Sequence, residues 1–380
     1  MAASKQRFSA PFSALLDNEV FAVDERSAQL IARSHTGAVS VDVAGQSFTS
    51  ETTEGVAVIE VTGLRADTPY RALISDADGK PVGELDLRTR PTLGTITSRF
   101  ATVSDVHLGT DSFGGARHIV DGRDEPYPLR CGRAAVREAA QWGAEVLVVK
   151  GDLTDTGSAS DWDLAQQMFE GLTIPFMFTP GNHDVWKSRE LDPSEGAGLL
   201  GLPDAALQTH ELDGIRLVLT DTSKPDQGSG DLARSGEALL DVTAGDTPVF
   251  LGLHHNIQRA PVTWFWPPGI PSTNAMPVVD SLAARNSNLF ISSGHTHRNR
   301  IHWIGPDQRV AYTEVSATAD YPGVWAAYEV GERGIRQTVR RIAHPDATSW
   351  TEKTRAALGG VWPRWSQGRL ADRSVDLLHE

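Results

Sequence analysis

The chain has 380 residues, with 35 Lys and Arg against 49 Asp and Glu, and so a formal net charge of −14. That balance argues against a nucleic acid polymer or any other partner held mainly by phosphate neutralisation, which needs a basic surface. The length suits two or three domains at about 150 residues each, and 40% hydrophobic residues with 35 glycines and 21 prolines describe a globular chain with a large core.

Cys131 is the single cysteine, so no intramolecular disulfide can form. The segment from Phe8 to Leu16 is too short and polar for an export signal, and no apolar run approaches the roughly 18 residues that cross a bilayer. A cytoplasmic protein without a membrane span is expected.

Up to residue 95 the pattern has period two. Val39, Val41 and Val43 alternate with Ser40 and Asp42, and Tyr70, Ala72 and Ile74 alternate with Arg71 and Leu73. Such alternation puts one strand face on a core and the other in water, and about seven short strands without a helix predict an all-β sandwich over 1–95. The block Val61-Thr62-Gly63-Leu64, with Thr68-Pro69-Tyr70 after it, resembles a fibronectin type III domain. The resemblance implies a tyrosine that ties a corner back to nearby backbone.

After a linker at 90–94 the rhythm changes. Short apolar runs at 100–103, 146–149 and 174–178 alternate with helical patterns at 129–142 and 162–169, and further runs follow at 215–219, 249–253 and 289–291. Runs of this length suit strands buried on both faces and joined by helices, so an α/β domain is expected over 96–344. From 345 to 380 the pattern is helical and carries Trp350, Trp362 and Trp365, a C-terminal extension set against the body or a second copy of the chain.

Five of these six apolar runs end in a cluster of metal-ligand types. They are Asp105-Val106-His107, Gly151-Asp152, Gly181-Asn182-His183-Asp184, His254-His255-Asn256 and Gly294-His295-Thr296-His297. Ligands collect beyond the carboxyl ends of strands in open α/β sheets, so five clusters at five strand ends converge on one site. Carboxylate, amide oxygen and imidazole without thiolate suit Fe, Mn or Zn. Two such ions about 3.5–4 Å apart can grip a phosphate from both sides.

In this order the clusters resemble the calcineurin-like metallophosphoesterases, with the class III cyclic-nucleotide phosphodiesterase branch as the best match, over about residues 100–330. The resemblance implies a four-layer α/β/β/α sandwich and two divalent or mixed-valence transition-metal ions. Asp105, His107, Asp152 and His297 would hold the first ion; Asp152 would bridge to the second, completed by Asn182, His254 and His295. His254 is preferred to His255 because it directly follows its strand, although Asn256 stands where the family has proline. His183 would meet the leaving oxygen, with Asp184 behind it to fix its tautomer.

The implied activity is in-line hydrolysis of a small phosphodiester, of cyclic nucleotide or glycerophosphodiester type, by a hydroxide held between the metals. The alternatives are a phosphomonoesterase of the same superfamily and a non-catalytic metal-binding scaffold. Purple acid phosphatases lack the first histidine and have tyrosine three residues after the bridging aspartate, whereas this chain has His107 and Asp155. Ser/Thr protein phosphatases carry an arginine after the bridging aspartate and glutamate after the GNH histidine; this chain has neither.

Other features have plainer readings. The loop from Thr110 to Pro128, with Arg117, Arg123, Asp124 and Glu125, reads as a solvated charged loop before a phosphate-binding one. Trp264, Phe265 and Trp266 read as packing aromatics before a substrate lid. His35, His118, His210, His302, His344 and His379 read as surface or structural, with His118 the one that could serve the site. Spacing leaves open whether Asp155 supports the site or caps a helix, and whether Arg298 faces the site or the solvent.

Overall fold

The computed structural model describes residues 18–114, 119–203, 206–259, 261 and 266–378. It divides into two compact units, Met1–Pro91 and Thr92–Glu380.

The first unit contains strands β1 (Glu19–Val23), β2 (Ala28–Arg33), β3 (Ala38–Val43), β4 (Gln46–Glu51), β5 (Val56–Val61), β6 (Pro69–Asp76) and β7 (Pro81–Arg88). They form an antiparallel sheet of order β1-β2-β5 and another of order β4-β3-β6-β7. The alternation in β3 buries Val39, Val41 and Val43, which share one core with Leu30, Ile59, Ile74 and Leu87. Tyr70 Oη accepts from the Arg65 N–H at 2.8 Å, tying the start of β6 to the turn before it.

The second unit begins with β8 (Ile96–Val103), the short pair β9 (Ser112–Phe113) and β10 (Ile119–Val120), and α1 (Tyr127–Trp142). Pro128 in its first turn and Gly143 at a left-handed C-cap bound α1. Next come β11 (Val146–Lys150), α2 (Ala159–Phe169), β12 (Phe176–Thr179), α3 (Pro193–Leu199), β13 (Leu207–Leu212), β14 (Ile215–Thr220) and α4 (Gly236–Thr243). Helix α2 starts in a capping box between Ser158 and Asp161, so Asp155 is not its cap. The chain continues through β15 (Val249–Gly252), α5 (Ser272–Arg285), β16 (Leu289–Ser293), β17 (Arg300–Ile304), β18 (Val310–Glu314), β19 (Val324–Gly331) and β20 (Gly334–Arg341). Its last elements are α6 (Pro345–Thr354), α7 (Ala357–Gly360), α8 (Trp362–Ser366), α9 (Leu370–Arg373) and β21 (Ser374–Leu378).

These strands form two six-stranded mixed sheets, of order β12-β11-β8-β19-β20-β21 and β13-β14-β15-β16-β18-β17. Strands β8, β11 and β12 run parallel, as do β14, β15, β16 and β18. Side chains of α1 and α2 share a core with the first sheet, and those of α4 and α5 with the second. Between the sheets, Phe100 stacks on Tyr328 with centroids 4.5 Å apart and meets Phe250 edge-on at 4.9 Å. The buried Lys150 Nζ donates to Ser292 Oγ at 2.8 Å and to the Ser293 carbonyl at 2.9 Å, linking β11 to β16.

Two features depart from the sequence reading. The third apolar run forms strand only from Phe176, and Pro175 before it, with no N–H to donate, joins β11 through its carbonyl alone, which accepts from Leu147 N at 3.0 Å. The 345–380 segment is helical up to Arg373 and then adds β21 to the edge of the first sheet, beside β20. No helix among the described residues is long and apolar enough to cross a membrane.

Phe100→Ala empties the junction between the sheets. Urea unfolding should show a loss of about 3–5 kcal/mol; a loss below about 1 kcal/mol would mean that the two sheets do not depend on that contact.

Candidate metal centre

Every cluster singled out in the sequence lies at the carboxyl end of a strand. Asp105 and His107 follow β8, Asp152 follows β11, Asn182 and His183 follow β12, His254 follows β15, and His295 and His297 follow β16. Gly151, at φ +80°, makes the close approach possible, because a Cβ there would lie 2.6 Å from His254 Nδ1 and 2.7 Å from Gly181 N. Gly294 plays the same part for the other sheet, with a Cβ only 2.5 Å from Asp105 Oδ2.

The backbone at the site is strained. Asp105, His107, Asp152, His295 and His297 all have positive φ, between 48° and 67°. Such conformations cost about 1–3 kcal/mol each in a non-glycine residue and persist only where the surroundings hold them. Here the surroundings are hydrogen bonds between the loops. Asp105 N donates to the Gly151 carbonyl at 3.1 Å, and His107 N to the Asp152 carbonyl at 3.0 Å. His295 N donates to the Asp105 carboxylate at 3.0 Å, and His183 N to Asp152 Oδ1 at 2.9 Å.

The side chains converge with their lone pairs facing one another. His107 Nε2 lies 3.3 Å from His297 Nε2, and the latter lies 3.5 Å from Asp105 Oδ1. The other nitrogen of each ring faces a carboxylate: His297 Nδ1 donates to Asp320 Oδ2 at 2.6 Å, and His107 Nδ1 lies 3.4 Å from Asp155 Oδ1. The two Nε2 atoms therefore face each other, and a proton or a cation between them relieves the contact. Beside them, His254 Nδ1 donates to the Lys150 carbonyl at 2.9 Å, which turns Nε2 toward Asp152 Oδ2 and Asn182 Oδ1, each at 3.2 Å. Asp152 Oδ2 also lies 3.8 Å from His107 Nε2, so this carboxylate stands between the two groups. A cation in each group would relieve this crowding, and the donor set of carboxylate, amide oxygen and imidazole fits transition-metal ions.

His254 and His255 diverge in their surroundings. Both cluster with His295, but only His254 also clusters with Asp105 and Asp152. His255 Nδ1 pairs with Thr222 Oγ1 at 2.9 Å. His295 is tethered through Nε2 to the Pro268 carbonyl at 3.0 Å, which leaves Nδ1 as its acceptor.

Asp184 does not lie behind His183. It is fully buried, and its carboxylate accepts from Gly181 N at 2.8 Å and from Thr154 N and Oγ1 at 2.8 and 2.7 Å, bracing one loop on the next. The partner of His183 is Asp155. His183 Nδ1 donates to the Asp155 carbonyl at 2.9 Å and lies 3.3 Å from its Oδ1. Asp320, the carboxylate behind His297, belongs to no motif, and nothing in its loop sequence marks it.

Protonation follows the crowding. Burial disfavours charge on His254 and His297, yet Asp152 and Asp105 beside the first, and Asp320 and Asp105 beside the second, outweigh it and raise both to about 9. Burial likewise opposes charge on His183, but Asp152 and Asp155 raise it to about 10. Burial and the nearby His254 lower His295 to about 4. Burial also works against the Asp152 carboxylate, but His254, His183 and His107 hold it well below its usual range.

A cleft of about 700 Å³ opens onto this constellation. Phe113, Trp186, Trp266, Pro268, Leu358 and Trp362 line it together with the histidines, and no Arg or Lys is among its described lining residues. Trp266 is 70% exposed at the rim; Trp264 and Phe265 lie outside the described residues, as do Arg117 and His118. Arg123 bonds to Asp346 and Ser349 on α6. Arg298 pairs with Glu314 and covers the Trp365 ring at 4.6 Å, facing neither the cleft nor open solvent.

A family model described as calcineurin-like phosphoesterase matches residues 98–299. The chain is 26% identical over 158 residues to a glycerophosphodiester phosphodiesterase of Enterobacter lignolyticus, a match covering 39% of this chain and 50% of that protein. It is 24% identical over 212 residues to a probable cyclic nucleotide phosphodiesterase of Synechococcus sp., covering 55% and 77% respectively. The chain thus spans half the length of the first of these relatives. Among solved structures, a purple acid phosphatase from yellow lupin aligns with a TM-score of 0.46 and 11% identity over 85% of this chain and 72% of that one.

Metal uptake should release protons. His254 and His297 carry protons below about pH 9 in the metal-free protein and must lose them to become ligands, so affinity should rise as pH rises toward 9. Calorimetric titration of metal-free protein with Mn²⁺ at pH 7, in two buffers of different ionisation enthalpy, should show net proton release. A heat independent of buffer would contradict this account.

Proposed function

Because the chain belongs to the calcineurin-like phosphoesterase family, we propose that it is a two-metal hydrolase of small phosphodiesters, of the cyclic nucleotide or glycerophosphodiester type. The observation that carries this reading is the convergence of His107 Nε2 and His254 Nε2 on the Asp152 carboxylate, with His297 Nε2 beside His107 and Asp105. Asp105, His107, Asp152 and His297 would hold one ion, and Asp152, Asn182, His254 and His295 the other. Fe, Mn or Zn held there would supply a bound water of lowered pKa and charge to polarise a phosphoryl oxygen.

The remaining chemistry belongs to side chains. His183 lines the cleft with Nδ1 engaged by Asp155, which leaves Nε2 to protonate the leaving oxygen. Asp155 is itself shared with His107, so one carboxylate orients both rings. The apolar wall of Trp186, Trp266 and Leu358, without a basic residue among those described, favours a diester. A diester carries one negative charge and a second organic group, whereas a monoester dianion gains most from arginine or lysine.

The fold reading extends in the same way. The four-layer α/β/β/α arrangement is supported by the Phe100–Phe250 contact between the sheets and by the helices that share a core with each. The fibronectin type III-like reading of the N-terminal unit is supported by its three-plus-four strand division and by the Tyr70–Arg65 hydrogen bond.

The test is a comparison of rates. Metal-loaded protein should cleave bis(p-nitrophenyl) phosphate faster than p-nitrophenyl phosphate, and a preference for the monoester would overturn the diesterase reading. His183→Asn should lower kcat by about 10²–10⁴-fold for a diester with an alkoxide leaving group, as loss of a general acid does. The loss should be much smaller for p-nitrophenoxide, which needs no proton. Equal losses on both substrates would remove His183 from the proton-donor role.

A further inference from the structure

Three indole N–H groups of the C-terminal segment point into the loops of the metal centre. Trp350 Nε1 donates to the Ala319 carbonyl at 2.8 Å, Trp362 Nε1 to Asp320 Oδ1 at 2.9 Å, and Trp365 Nε1 to the Thr296 carbonyl at 2.9 Å. Thr296 lies between His295 and His297, and Asp320 carries the carboxylate that orients His297. A fourth bond, from Tyr321 N to Thr354 Oγ1 at 2.9 Å, means that Ala319, Asp320 and Tyr321 are all held by residues beyond 349.

The arrangement at Asp320 is a relay of fixed direction. Its carboxylate is buried and receives two donors, His297 Nδ1 on one oxygen and Trp362 Nε1 on the other. A carboxylate bonded on one side only can rotate about its Cβ–Cγ bond; with both oxygens engaged, its plane is set. The plane of Asp320 sets the orientation of the His297 ring, and that ring aims Nε2 at His107 and Asp105. Outer partners of this kind fix ring orientation and ligand basicity at metal sites.

We infer that Trp362 is a positioning residue for the metal centre: its indole N–H fixes Asp320, and through Asp320 it holds His297 ready for the first ion. The inference rests on the two-ion reading above. It gives the C-terminal segment a part in the site that neither its packing nor its tryptophan content alone would assign. The N–H acts, not the ring, which separates this role from plain core packing.

Trp362→Phe keeps a smaller aromatic ring at this 4% exposed position and removes the donor. Calorimetric titration of metal-free protein with Mn²⁺ should give two sites in the wild type. W362F should raise one dissociation constant about tenfold and leave the other unchanged, while the metal-free protein still melts in one cooperative transition. In an Asp320→Ala background the same site should already be weak, and W362F should add nothing further. Unchanged affinity in W362F, or an equal effect of W362F with and without Asp320, would overturn the inference. Unchanged Mn²⁺ affinity in D320A also overturns it, whatever W362F does. A wild-type protein that takes up no Mn²⁺ would end the two-ion reading, and this inference with it.

Discussion

The Asp152 carboxylate is 2% exposed, and His107, His254 and the His183 backbone N–H surround it within 3.8 Å. Around it the lone pairs of His107, His297, His254 and Asn182 point inward from both sheets. Acceptors crowded in a low dielectric repel one another unless positive charge lies among them. In the metal-free protein protons on the imidazoles supply part of that charge. Cations supply it better, because each satisfies several acceptors at once.

This constraint explains features that otherwise look unrelated. The strained left-handed backbone at five of the site residues turns side chains inward at the strand ends, and bonds from loop to loop pay for it. Lys150, buried between β11 and β16, adds a group whose charge burial disfavours, lowering its pKa to about 7. Its bonds to Ser292 and Ser293 tie together the two sheets whose strand ends form the cage. Asp155, Asp184 and Asp320 divide the remaining work. Asp155 orients His107 and His183, Asp184 braces the loops around Gly181 and Thr154, and Asp320 orients His297.

Much of this was legible in the residue pattern. Strands such as β11 and β15 bury every residue and read as apolar runs, broken in β11 only by its last residue, Lys150, so the clusters that follow them could be placed at strand ends. The same logic failed for β20. It is fully buried, yet Arg336, Gln337, Arg340 and Arg341 give it a polar sequence. Two of its arginines are paired, Arg336 with Asp376 at 2.6 Å and Arg341 with Glu352, and pairing across 40 or 11 positions of chain leaves no local signal. The supporting carboxylates divide in the same way. Asp184, adjacent to His183 in sequence, suggested a pair, but successive side chains diverge and the partner came from the neighbouring loop. Asp320 and Trp362 stand 42 positions apart and meet only through the fold.

The most direct test of the account is where cations bind. Crystals soaked in Mn²⁺ and measured at the manganese absorption edge should give two anomalous peaks flanking the Asp152 carboxylate, one against Asp105, His107 and His297 and the other against Asn182, His254 and His295. A single peak away from Asp152, or none at saturating Mn²⁺, would contradict it.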